Sequence, residues 1–164
     1  MIPLRFRLLI AVTLIAVGLF LIARLRYSGK PTVKLPPANC DADLWRHVYR
    51  AERLRVIEPC TAVDGRVASV SRAADGDLHI AFDPEQKSVL NLINATHGHG
   101  HLVVEVICEH AAAEPNAATV CAGVTSGVTI PKAGDRVRVT GAYVTDRENG
   151  WNELHPVTRI ENLR

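Results

Sequence analysis

The sequence predicts a mainly β domain, a five-stranded barrel, and three observations carry that prediction. Apolar and polar residues alternate through several short stretches, and Asp-Gly and Asn-Gly pairs stand where such stretches would meet. A single long break, residues 110–134, divides three strands from two.

The strands follow in order. Residues 61–72 (TAVDGRVASVSR) form the first, with Gly65 marking a bulge or sharp bend where one strand serves both halves of a small barrel. Asp75-Gly76 turns the chain into residues 77–83 (DLHIAFD), where Leu78, Ile80 and Phe82 share one face and His79 lies on the other. Residues 102–109 (LVVEVICE) are apolar on nearly both faces, as a central strand is. Residues 135–144 (DRVRVTGAYV) turn Val137 and Val139 inward and Arg136 and Arg138 outward. Asn149-Gly150 then leads into the fifth strand, residues 151–161 (WNELHPVTRIE).

Two segments break the alternation. Residues 41–49 (DADLWRHVY) open on a capping aspartate and carry Leu44, Trp45, Val48 and Tyr49, the pattern of a short N-terminal helix packed on the barrel. Residues 110–134 include an alanine-rich piece suited to a helix or turn held by Cys121. Five strands with one insertion between the third and fourth is the plan of an OB-fold, a partly open Greek-key barrel; some other small β-barrel or sandwich is the alternative.

Ahead of the domain, a short tail (residues 1–7) leads into an apolar run, residues 8–23, flanked by Arg5, Arg7, Arg24 and Arg26. That run makes roughly 24 Å of helix against a hydrocarbon core of about 30 Å, and Leu25 with snorkelling arginines covers the difference. It closes without an A-x-A cleavage pattern, so a transmembrane signal anchor over residues 8–25 is expected in place of a cleaved signal peptide. Residues 26–38 then read as a Pro-rich tether, and residues 39–164 as the extracytoplasmic domain.

Basic residues on both flanks leave the orientation of the anchor open, and the cysteines decide it. Cys40, Cys60, Cys108 and Cys121 all follow the anchor, an even number in a small domain, which points to disulfides in a periplasmic or extracellular setting. Three connectivities exist, and the local pairing of Cys40 with Cys60 and Cys108 with Cys121 fits the strand layout. Zinc ligation is the alternative, without a C-x-x-C pair to favour it.

The overall charge of +2 conceals a division along the chain. Six of the 19 Lys and Arg lie in residues 1–34, which hold no acid; the remaining 13 face all 17 acidic residues, a balance of −4. A domain with that balance lacks the basic footprint of a general nucleic-acid binder. Aromatic platforms for single-stranded nucleic acid are also few, with two Trp, three Tyr and three Phe, of which Phe6 and Phe20 fall in the anchor region.

Residues 40–49 (CDADLWRHVY), 54–60 (LRVIEPC), 76–83 (GDLHIAFD), 134–143 (GDRVRVTGAY) and 150–157 (GWNELHPV) together resemble a functionally uncharacterised group of small exported bacterial OB-like domains. The G-W-x-E-[LI]-H-P-V stretch is the most specific piece. The resemblance implies a fold and a compartment, and it brings no active site with it. Asn149 stands where related stretches often have His, so a histidine role at that position is not expected.

Candidate ligand-binding residues are His79, Arg136, Arg138, Tyr143, Trp151, Glu153 and His155. Trp151, Glu153 and His155 are spaced by two and so share a face of the last strand ahead of Pro156. A carboxylate, an imidazole and an aromatic ring converging there make a polar site; the alternative is that Trp151 plugs a barrel end while Glu153 and His155 bond to neighbouring loops. His97, His99 and His101 alternate with glycines and could converge on Zn, Cu or Ni if extended, although two glycines favour a mobile loop. No cofactor is otherwise expected. G-x-S-x-G, H-E-x-x-H and P-loop signatures are missing from the sequence, and the Asn94-Ala95-Thr96 sequon is discounted in a chain with bacterial features. The leading expectation is a membrane-anchored binding module for an envelope oligosaccharide, peptide or protein. A metal-dependent hydrolase built on His79, Glu153 and His155 stands as the alternative, with single-stranded nucleic-acid binding behind it.

Overall fold

A computed structural model describes residues 39–164 of the chain. The expected tail (residues 1–7), anchor (8–25) and tether (26–38) lie outside the described residues. Among the described residues, no helix is long and apolar enough to cross a membrane.

Strands β1 (Leu54–Arg72), β2 (Leu78–Pro84), β3 (Leu102–Val106), β4 (Arg136–Asp146) and β5 (Asn152–Asn162) close into a barrel in the order β1-β2-β3-β5-β4. Every neighbouring pair is antiparallel except β3 and β5, which run parallel with Val103 opposite Glu153 and Val104 opposite Leu154. The two predicted turns are both present: Gly76 and Gly150 take positive φ angles of 100° and 81°, where a Cβ would be strained.

The period-2 pattern sorts side chains as expected. Val63 and Val67 of β1, Ile80 and Phe82 of β2, Leu102, Val104 and Val106 of β3, Val137 and Val139 of β4, and Leu154 and Val157 of β5 fill the interior. Apolar burial on this scale, at about 25 cal/mol per Å², is the main stabilising contribution available to a small domain.

Four boundaries differ from the sequence reading, each for a local reason. Strand β1 begins at Leu54 rather than residue 61, because residues 54–60 pair with β4 through two register shifts that erase the alternation. Strand β3 stops at Val106, and Cys108, at φ 59°, turns the chain away. Strand β4 runs on to Asp146. The N-terminal helix is a 3-10 turn, Ala42–His47, in which Asp41 accepts from the Asp43 N–H as the cap. A short helix α1 (Leu92–Thr96), capped by Asn91, was not signalled by periodicity, whereas the alanine-rich insertion does form a helix, α2 (Pro115–Val120).

Both disulfides take the local pairing, Cys40–Cys60 and Cys108–Cys121. The first pins the start of the N-terminal segment to β1, and the second pins the end of α2 to the exit of β3. Each loop closure stabilises by about 3 kcal/mol in the chain-entropy description.

Gly65 is the hinge of β1, pairing with Pro84 on β2 and with Val137 on β4. A Cβ there would lie 2.4 Å from the Asp83 carbonyl oxygen and 2.7 Å from Cζ of the buried Phe82 ring. Gly65→Ala is therefore expected to lower stability by about 1–3 kcal/mol. A urea denaturation midpoint equal to wild type would show that β1 does not need this close approach.

Candidate functional site

A group of buried ionisable side chains converges on the outer wall of the barrel, across β2, β3 and β5. Side chains alternate along a strand, so Glu105 points outward between the core residues Val104 and Val106, as Glu153 and His155 do on either side of Leu154. His79 and Glu105 are directly paired across β2 and β3, and the parallel register of β3 with β5 brings Glu105 beside His155.

This outer wall is nevertheless buried: Glu153 and His155 are 0% exposed and Glu105 and Asp77 2%. The N-terminal segment provides apolar cover nearby. Val48 and Leu54 pack on Ala142 and Val144, and Leu44 packs on Ile107 and Cys108. The same segment supplies Arg53, from the 3-10 turn Ala51–Arg53, which pairs with Asp146 and lies 3.7 Å from Glu105. Asp146 is itself fully buried and also accepts from the backbone N–H of Glu148 and the side chain of Asn149.

At the centre, His155 Nδ1 lies 2.7 Å from Glu105 Oε2 and 3.5 Å from Glu153 Oε2, and its Nε2 lies 4.0 Å from Asp77 Oδ2. These contacts attract by charge but lack hydrogen-bond alignment. Asp77 Oδ2, His79 Nε2, Glu105 Oε2, Glu153 Oε2 and both ring nitrogens of His155 have no hydrogen-bond partner among the described residues. A buried polar atom so placed costs about 1–3 kcal/mol, so the cluster is held together by opposite charge rather than by completed hydrogen bonds. The outer atoms are better served: Asp77 Oδ1 accepts from Cys108 N–H at 2.9 Å, and Trp151 Nε1 donates to Glu153 Oε1 at 2.5 Å.

The electrostatics follow from two cations, Arg53 and His155, facing four carboxylates, Asp77, Glu105, Asp146 and Glu153. Burial acts against the Glu105 carboxylate, but His155, His79 and Arg53 outweigh it and hold its pKa down at about 2. Burial equally opposes a charged His155, yet Glu105 and Glu153 raise it to about 10. Asp77 is pushed up to about 6, chiefly by burial, and Glu153 is raised by burial and then by Glu105. The two carboxylates with raised values are the natural proton carriers in a cluster otherwise short of positive charge.

The candidate ligand-binding residues therefore do not make one site. Trp151, Glu153 and His155 share a face, but the two ionisable groups are sealed beneath it. His79 faces outward as expected, and its side chain is 39% exposed at the edge of the cluster. Arg138 makes a two-pronged pair with Asp64 at 2.6 and 2.7 Å, and Arg136 pairs with Glu85, so neither offers an unpaired charge to a ligand. Tyr143 packs on the core, donates to the Val89 carbonyl and accepts from Asn152; it is a structural residue, its ionisation raised by burial. The ring nitrogens of His97, His99 and His101 do not converge among the described residues. His97 Nδ1 lies 2.8 Å from Thr96 Oγ1, and the loop is fixed by Asn94, whose side chain bonds His101 O, Asn91 N and both backbone groups of Asn152. Buried Asn94 cannot present its amide for glycosylation in this fold.

Arg53, Asp77, Glu105 and Asp146 were not foreseen as a group. Glu105 carried a signal, an acid in the middle of an apolar central strand; Asp77 read as the first residue of the second strand, and Arg53 carried none. Away from the cluster, an open groove of about 480 Å³ is lined by Thr129, Ile130, Pro131, Lys132, Asp135, Ile160 and Asn162. Compared with known proteins, the chain matches no family model and no curated protein.

Arg53→Met should lower stability by about 3–5 kcal/mol, because it strands buried carboxylates, whereas Arg138→Ala, whose pair is partly open to solvent, should shift the urea midpoint far less. Equal losses in the two variants would mean that the buried network contributes no more than a surface pair.

Proposed function

We propose that the chain is a membrane-anchored binding module of the cell envelope: an OB-like domain, held outside the cytoplasm by residues 8–25 and their tether, that recognises an oligosaccharide, peptide or protein without turning it over. One observation carries this reading. The groups best suited to chemistry, Glu153 and His155, are sealed from solvent, while the groove at Lys132 and Asn162 is open and of a size that accepts a small ligand.

Other features support it. The strand order with a parallel β3–β5 pair, and a helix between β3 and β4, suits the OB plan, and both disulfides suit an oxidising compartment. The resemblance of residues 150–157 to exported OB-like domains points the same way. Thr129, Lys132 and Asn162 offer a hydroxyl, a cation and an amide beside Ile130 and Ile160, a set that suits a polar chain. A hydrolase using His79, Glu153 and His155 would need a substrate to reach Glu153 and His155, which are fully buried. Unselective nucleic-acid binding is disfavoured by the domain's acidity and by the paired state of Arg136 and Arg138.

The test is a titration of isotope-labelled protein with purified peptidoglycan fragments, which carry sugar and peptide in one molecule. Saturable amide shifts at Thr129, Lys132 and Asn162, lost in Asn162→Trp, are expected. Absence of shifts in the groove, or shifts confined to the His79 edge, would contradict this assignment.

A further inference from the structure

We propose that Asp77, Glu105 and His155 form a buried binding site for one divalent transition cation, with zinc the best match. Each residue offers one ligand atom, and the three atoms lie within 4.8 Å of one another. They come from the end of the β1–β2 turn, from β3 and from β5, so an ion between them would join three separate parts of the chain.

Three independent features point to a cation. The ligand atoms are buried and unpartnered, and they are aimed at one another: Asp77 Oδ2, Glu105 Oε2 and the nitrogens of His155 complete no hydrogen bond among the described residues. A proton can join only two of these atoms, whereas a cation satisfies all of them together. The cluster sets four carboxylates against Arg53 and His155, an excess of acid that favours a bound cation. The donor set, two carboxylate oxygens and one imidazole, is one that zinc accepts with bonds of about 2.0–2.2 Å.

The geometry needs Glu105 and Asp77 to adjust: Glu105 Oε2, 2.7 Å from Nδ1, must swing off that nitrogen to reach an ion on Nε2. Asp77 Oδ2 and His155 Nε2 are 4.0 Å apart, against roughly 3.3 Å for two ligands at the corners of a tetrahedral zinc site, a difference that side-chain rotation closes. With Nε2 on the ion, Nδ1 keeps Glu153, 3.5 Å away, as the carboxylate that orients the ring. Asp77 is held by the Cys108 N–H on its other oxygen, and Glu105 by His79 on its other oxygen. When the ion binds, the imidazole proton leaves to solvent. The closed surroundings make the role structural, and the half-exposed His79 marks the edge from which the site is reached. The disulfide sulfurs of Cys108 and Cys121, also near Asp77, are not thiolates and do not ligate.

The test uses the full-length chain, made in an oxidising compartment, purified in mild detergent, stripped with a chelator, reloaded with zinc and dialysed. Wild type should retain one zinc per chain and melt several degrees higher than the stripped form. X-ray absorption of the loaded wild type should show a single imidazole with oxygen ligands. Asp77→Asn keeps an oxygen for the Cys108 N–H and Glu105→Gln keeps the side-chain shape; each should bind zinc at least about tenfold more weakly, while His97→Ala/His99→Ala should bind as wild type does. Failure of the wild type to retain zinc overturns the site, whatever the variants do. Two or more imidazoles around the ion would contradict the donor set, and zinc lost with the loop variant would place binding in the histidine loop; either result overturns the site.

Discussion

The placement of four carboxylates on the outside of a barrel wall, away from water, is the constraint to which the rest of this structure answers. A charge taken out of solvent is stable only beside an opposite charge or a cation, and only while water is kept away from the weaker contacts. The first half of strand β5, residues 152–157, is buried on both faces for this reason: Leu154 and Val157 face the core, and Glu153 and His155 face an outer layer that must be covered. The N-terminal segment brings both the cover and the charge. Its apolar residues sit on Ala142, Val144 and Ile107, and its Arg53 reaches Asp146 and Glu105.

The two disulfides make sense in this light. An outer layer of short 3-10 turns has little hydrogen-bonded structure of its own, and its apolar contacts are small. Cys40–Cys60 fixes one end of it to β1, and Cys108–Cys121 holds the insertion against the chain that leaves β3, where the Cys108 N–H also caps Asp77. The barrel interior, rich in valine, is a separate apolar cluster. The groove near Lys132 has the opposite quality, open surface with polar groups.

Period and turn chemistry made the barrel legible. Alternation in residues 77–83 and 135–144 sorted core from surface, and Asp75-Gly76 and Asn149-Gly150 marked turns that the backbone takes with positive φ at glycine. The beginning of β1 was hidden because its bulges against β4 destroy the period that reveals a strand. The site was harder. Alternation put Glu153 and His155 on one face and His79 opposite the core face, but outward from a barrel is not the same as exposed, and no local pattern tells that Glu153 and His155 are buried or that Arg53 reaches the same cluster. Charge pairing between distant segments is equally silent: Arg138 looks like a free cation until Asp64 is found beside it, and Arg53 and Asp146 are 93 positions apart.

Outer layer and barrel should accordingly behave as one cooperative unit, joined by the ion cluster. Native-state hydrogen exchange, read at single amides, tests this most directly. The N–H groups of Cys108 and Glu148, which bond to Asp77 and Asp146, and that of Arg147, which bonds to the Arg53 carbonyl, should exchange only with global unfolding, at the same free energy as Val104 in the core. Exchange of these amides through a local opening of clearly lower free energy would mean that the N-terminal layer lifts away by itself and that the buried charges do not hold it.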